Sequence, residues 1–145
     1  MVAPSGQQAE AENRTLVEVR IAASAAQISA VRVVAADLAA RQDFDLDAVS
    51  DLRMAVDEVC ATLVSLATNG TMLSCQFLVG VNSIEVLAKV TVPRPIQVPQ
   101  NTFGWRVLST LTDEVHAISH DRDEDAGGRP SVAIRLGLRR ERTHG

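Results

Sequence analysis

The stretch DLRMAVDEVCATLV, residues 51–64, carries the strongest periodic signal in the chain and sets two adjacent carboxylates, Asp57 and Glu58, in its middle. Val49, Leu52, Val56, Val59, Leu63 and Leu66 recur at spacings of three and four, which gives a helix one apolar stripe. The helix is expected to begin near Asp45 or Asp47, since acidic side chains suit its positive end. It should run to about Ala67, with Thr68-Asn69-Gly70 as the stop. At about 100° per residue, Glu58 falls roughly opposite the Val56 stripe, on a far face shared with Asp51, Met54, Ala61, Thr62 and Ser65. That face is apolar for open solvent. Either it is a modest surface, or a lid, a ligand or a partner chain covers it.

Working outward, LVEVRIA (residues 16–22) alternates Val17, Val19 and Ile21 with Glu18 and Arg20, the pattern of a strand with one wet face. Ser24 and Gln27 have the spacing of a capping box, and Ile28, Val31, Ala35 and Leu38 continue at helical spacing to about Arg41, with Arg32 and Asp37 on the other side. After the long helix, residues 71–80 and 83–92 are two apolar, β-rich runs joined by Gly80-Val81-Asn82-Ser83, which reads as a hairpin. Three prolines make PRPIQVPQN an extended linker. Asn101 or Thr102 can cap a third helix from Phe103 to about Asp113, with Trp105, Leu108 and Leu111 inward. Residues 115–120 and 131–140 read as two further strands, separated by a polar turn with Gly127-Gly128. The order β-α-α-β-β-α-β-β predicts an α/β (α+β) two-layer sandwich, its mixed, mostly antiparallel sheet covered on one face by helices. Residues 1–15 are expected to be a flexible tail, 16–140 a single domain and 141–145 a second tail.

Composition narrows the function classes. The chain has 145 residues, 46% of them hydrophobic, enough for one core. Aromatics are 3% with no Tyr, which disfavours a stacking platform for single-stranded nucleic acid. The net charge of −4 provides no basic field for direct nucleic-acid binding. No apolar run reaches the roughly 18–20 residues of a membrane span, and the first fifteen residues lack an apolar signal segment, so a cytoplasmic protein is expected. Cys60 and Cys75 lack metal-site spacing. They read first as small buried hydrophobes; the sharper alternative, a redox-sensitive pair, requires Cα atoms within about 7 Å. His116 and His120 share a strand face, His144 lies in the tail, and no metal site is expected. G-x-S-x-G, P-loop and G-x-G-x-x-G motifs are all absent.

Residues 51–64 resemble the first ATP-site box of the histidine-kinase-like (GHKL, Bergerat) ATPases, most closely the anti-sigma factor serine kinases of the RsbW and SpoIIAB type. Asp51, Leu52, Arg53, Ala55, Val56, Glu58 and Val64 carry the likeness. The lead-in FDLDAVSDLR is similar to that of actinobacterial members of the anti-sigma F kind. GWRVLSTLTDEV (residues 104–115) resembles the second glycine box and its helix at Gly104, Val107, Leu108, Leu111, Asp113, Glu114 and Val115. The likeness extends from about Val17 to Leu138, and the element order agrees.

The resemblance implies that Glu58 stands where the family has the general base that takes a serine proton. An Asn four residues on, which holds the nucleotide's magnesium, is replaced by Thr62. The adenine-reading Asp and its glycines are replaced by VTVPRPIQVP, and only Gly104 of the paired phosphate-binding glycines remains, followed by Trp105 and Arg106. Residues 92–103 are short for an ATP lid. Phosphoryl transfer depends on positioning and charge neutralisation, so ATP-Mg binding is expected to be weak or absent at Thr62 and Gly104, and kinase activity lost or vestigial. The resemblance implies an anti-sigma factor that sequesters an alternative sigma factor and is displaced by an anti-anti-sigma antagonist of the STAS type. The runner-up is an active kinase that phosphorylates that antagonist. Arg32, on the first helix, is the expected partner-binding arginine, and a homodimer is expected because family members often form one.

Overall fold

The computed structural model describes residues 14–139. Strand β1 (Thr15–Ala22) leads through a 3-10 turn (Ala25–Gln27) into helix α1 (Ile28–Arg41), and α2 (Leu46–Leu66) follows after a short loop. β2 (Met72–Val79) and β3 (Ser83–Thr91) form a hairpin, α3 (Phe103–Leu111) follows the proline-rich linker, and β4 (Glu114–Asp123) and β5 (Arg129–Arg139) form a second hairpin. The five strands lie in the order β1-β2-β3-β5-β4. All four pairings are antiparallel, so the sheet contains no parallel pair among the described residues.

Strand alternation decides which face meets the helices. Cys75 and Phe77 of β2, Val86, Ala88 and Val90 of β3, and Ile134 and Leu136 of β5 are buried on one side. The register sets Cys75 beside Ala88 and Val86 beside Leu136, so these side chains form continuous rows. Helix α2 lays Leu52, Ala55, Val56, Val59, Cys60 and Leu63 on them. Val31, Ala35 and Ala39 of α1 are small enough to let that helix pack closely, and Leu108 anchors α3. The opposite sheet face carries polar side chains at Ser74, Gln76, Glu85 and Lys89, on the alternate positions of β2 and β3. This is the two-layer sandwich expected from the sequence.

The ends of the elements differ in detail. The Ser24 side chain makes no capping hydrogen bond, and the 3-10 turn separates it from α1, so the capping box is not formed. Asp45 caps α2, its carboxylate accepting from the Ala48 amide at 2.8 Å. Thr102, rather than Asn101, caps α3 by accepting from the Trp105 amide at 3.1 Å. Helix α3 ends at Leu111, two residues before the expected Asp113, because the Asp113 amide donates to Gly137 of β5 instead. β4 continues to Asp123, past the expected His120, its carboxylate held by Lys89 at 2.9 Å and Ser131 at 2.7 Å. Gly127 and Gly128 turn the second hairpin at φ of 68° and 81°, a region where a Cβ is disfavoured. The strand begins at Thr15, inside the expected N-terminal tail; residues 1–13 of that tail, the C-terminal tail and His144 lie outside the described residues.

Candidate functional site

Helix α2 positions the candidate site. Its apolar stripe points into the sheet, which leaves two flanks: Asp57 turns towards α1 and Glu58 towards α3. On the first flank, Arg32 of α1 grips Asp57, with Nη2 and Nε at 2.6 and 3.2 Å from the same carboxylate oxygen. The pair is partly open, the side chains 38% and 49% exposed, so its attraction is screened by water. The expected partner-binding arginine is thus tied to the central helix, one residue from Glu58. Sequence spacing gives no hint of this pair, because 25 residues separate its members.

On the second flank, half-buried Glu58 lies against the first turn of α3. A Cβ placed on Gly104 would overlap Glu58 Oε1 and come within 2.9 Å of its Cδ. Glycine is what lets the two helices approach at this point. The two residues singled out from separate motifs, 46 positions apart, therefore touch. The Glu58 carboxylate has no hydrogen-bond or ion-pair partner among the described residues. Thr62 lies one turn further along α2, half-buried, and its carbonyl accepts the Ser65 hydroxyl at 2.6 Å.

The linker ahead of α3 is fastened to the core. Val92 and Val98 are buried, Ile96 packs against the core, and the Val92 amide donates to Pro130 at 3.0 Å. Pro93, Arg94 and Pro95 are exposed between these anchors. Hydrophobic anchoring at Val98, inside a segment read from its prolines as plain linker, is a feature the sequence reading missed; the alternation Ile96, Val98 was its only trace.

Cys60 and Cys75 also come together. Both are fully buried, one on α2 and one on β2, with Sγ atoms 3.9 Å apart. The contact with Cys75, then burial, pushes the Cys60 thiol well above the ordinary thiol range. The geometry joins the pair, and the same geometry opposes the thiolate that oxidation needs. Among the described residues no group of three or more His, Cys, Asp or Glu side chains could hold a metal ion. No helix of the described residues is long and apolar enough to cross a membrane.

No family model matches the chain. Over 112 residues it is 31% identical to the anti-sigma-F factor RsbW of Mycobacterium tuberculosis, covering 77% of this chain and 67% of that protein. The chain belongs to the RsbW family. Members from Bacillus cereus and Bacillus anthracis, each called serine-protein kinase RsbW, are 25% identical over 125 residues, covering 72% of this chain and 78% of theirs. The RsbW relatives thus include one named for an anti-sigma role and others named for a kinase activity. In this RsbW-family chain, the glutamate and glycine of the two stretches that resemble ATP-site boxes are in direct contact, and Thr62 lies one turn further along α2.

Proposed function

We propose that this RsbW-family protein is an anti-sigma factor. It sequesters an alternative sigma factor in the cytoplasm and gives it up to an anti-anti-sigma antagonist of the STAS type, without phosphorylating that antagonist. The relatives' names support the sigma-binding part. The contact between Glu58 and Gly104 supports the rest: the carboxylate takes up the space directly beside Gly104. A carboxylate this close to Gly104 leaves little room for a nucleotide phosphate beside that glycine. The residues do not fit ATP-Mg. Thr62 stands where the resemblance expects an amide ligand, Trp105 and Arg106 follow Gly104 in place of a second glycine, and Pro93 and Pro95 lack backbone donors.

Partner binding is assigned to the ridge where α1 meets α2. Arg32 is the proposed contact, holding Asp57 until a partner's acidic group competes for it. A homodimer, two protomers per sigma factor, is part of the proposal.

Co-expression with the alternative sigma factor tests the central reading. A stable complex that forms without added nucleotide is the expected outcome. Calorimetry with ATP-Mg and a phosphotransfer assay on the antagonist test the rest. The expected result is no micromolar binding and no transfer. The active-kinase reading is favoured by one observation, the retention of Glu58 beside α3, and by the name of the Bacillus relatives. Micromolar ATP affinity, with transfer abolished in Glu58→Ala, would establish it.

A further inference from the structure

We infer that Cys60 and Cys75 form a redox latch between α2 and the sheet. Reduced, the pair is part of the core. Oxidised, it is a disulfide that the native fold accepts and that holds α2 onto β2.

Two separate elements place the pair. Cys60 lies in the second half of α2, among its buried residues Val56, Val59 and Leu63. Cys75 lies on β2, in register with Val19 of β1 on one side and Ala88 of β3 on the other, so strand pairing holds its backbone from both edges. Both residues are fully buried, and their Sγ atoms are 3.9 Å apart. A disulfide needs about 2 Å, so bonding asks for a shift of about 2 Å shared between two side chains and the helix. Fifteen positions separate the cysteines. The bond would close a short loop made of the end of α2, the turn that follows and the start of β2. Such a closure restricts the unfolded chain more than the folded one, where the two sulfurs already meet. Asp57 and Glu58 precede Cys60 by three and two residues, so the latch acts on the turn of α2 that presents both carboxylates.

Burial also decides when the latch closes. Thiol–disulfide exchange starts from a thiolate. Contact with Cys75 and burial oppose that form of Cys60 in the closed protein. The oxidant therefore reaches the pair when α2 lifts from the sheet. A thiolate from one cysteine attacks a low-molecular-weight disulfide, forms a mixed disulfide and releases one small thiol. The thiolate of the second cysteine attacks the cysteine sulfur of that mixed disulfide and releases the second small thiol. Two cysteine thiols are oxidised to one disulfide, and one small disulfide is reduced to two thiols, which carry away the two protons. When the chain closes again, α2 is tied to β2 and resists further opening.

The experiment treats the wild-type chain with oxidised glutathione, in native buffer and at rising urea concentrations, and follows the product by mass spectrometry. In native buffer no cross-link is expected during an exposure that fully oxidises the urea-unfolded chain. With rising urea the chain should lose two hydrogens and retain no glutathione, at a rate that climbs with the open population. The cross-linked chain is then purified and returned to native buffer. It should regain the circular dichroism of the reduced chain, unfold at a higher urea concentration and exchange the amides of α2 more slowly. Dithiothreitol should restore the reduced values. A cross-linked chain that fails to refold, or that unfolds at the same or a lower urea concentration than the reduced chain, overturns the latch, because the bond then strains the fold. Glutathione retained on both cysteines, or oxidation in native buffer as fast as in the unfolded chain, overturns it as well.

Discussion

A helical step of about 100° separates Asp57 from Glu58 and sends the two carboxylates into different surroundings. Asp57 meets Arg32, while Glu58 meets a glycine. An exposed pair of this kind contributes less than about 1 kcal/mol to stability. Arg32→Ala should therefore leave the urea midpoint almost unchanged while weakening sigma-factor binding; unchanged binding removes Arg32 from the interface. Asp123 is the contrasting residue. It is 8% exposed, and Lys89 and Ser131 hold its carboxyl at about 2, below the ordinary 3.8. A depressed folded-state pKa stabilises the protein fully above the unfolded value and loses that contribution as pH falls from about 4 towards 2. Asp123→Asn should cost about 2 kcal/mol at pH 7, and the difference from wild type should vanish near pH 2, as read from chemical denaturation at each pH. The buried thiols supply a third expectation. In the folded protein, mild peroxide or iodoacetamide should leave Cys60 and Cys75 free by mass spectrometry, and both should react once the chain is unfolded in urea.

At the scale of elements, the contact between α2 and α3 is the feature that matters. Gly104→Ala would push a methyl group into the Glu58 carboxylate, the movable end of a flexible side chain. The expected cost is about 1 kcal/mol, since Glu58 can swing aside. The double variant Glu58→Ala with Gly104→Ala should recover most of that loss in melting experiments; strict additivity would mean that the two residues do not press on one another. The long helix was legible because its apolar spacing runs unbroken from Val49 to Leu66. The paired strands were legible because alternation marked their buried rows. Helix starts were harder. Ser24 and Gln27 have the right spacing for a capping box, yet the chain turns through a 3-10 segment there and the cap is never formed. Asp45 and Thr102 do cap, where the side chain meets an unpaired amide of the first turn.

For the whole molecule, what sequence could not convey was proximity. Glu58 and Gly104 stood out as family-like positions and Thr62 as a departure between them, but the contact of Glu58 with Gly104 depends on how α3 returns across α2. The Arg32–Asp57 pair and the Lys89–Asp123–Ser131 cluster join residues from distant elements and left no local pattern. The anchoring of the linker by Ile96 and Val98 likewise emerges only once the core exists to receive them. In the proposed reading, the Glu58 carboxylate beside Gly104 takes space that a nucleotide would need. An RsbW-family member built this way is expected to bind its sigma factor unaided. The most direct test is the affinity of the purified chain for the alternative sigma factor, measured with and without ATP-Mg. The same Kd in both conditions is the predicted result. A Kd that tightens at least tenfold when ATP-Mg is added would contradict the account.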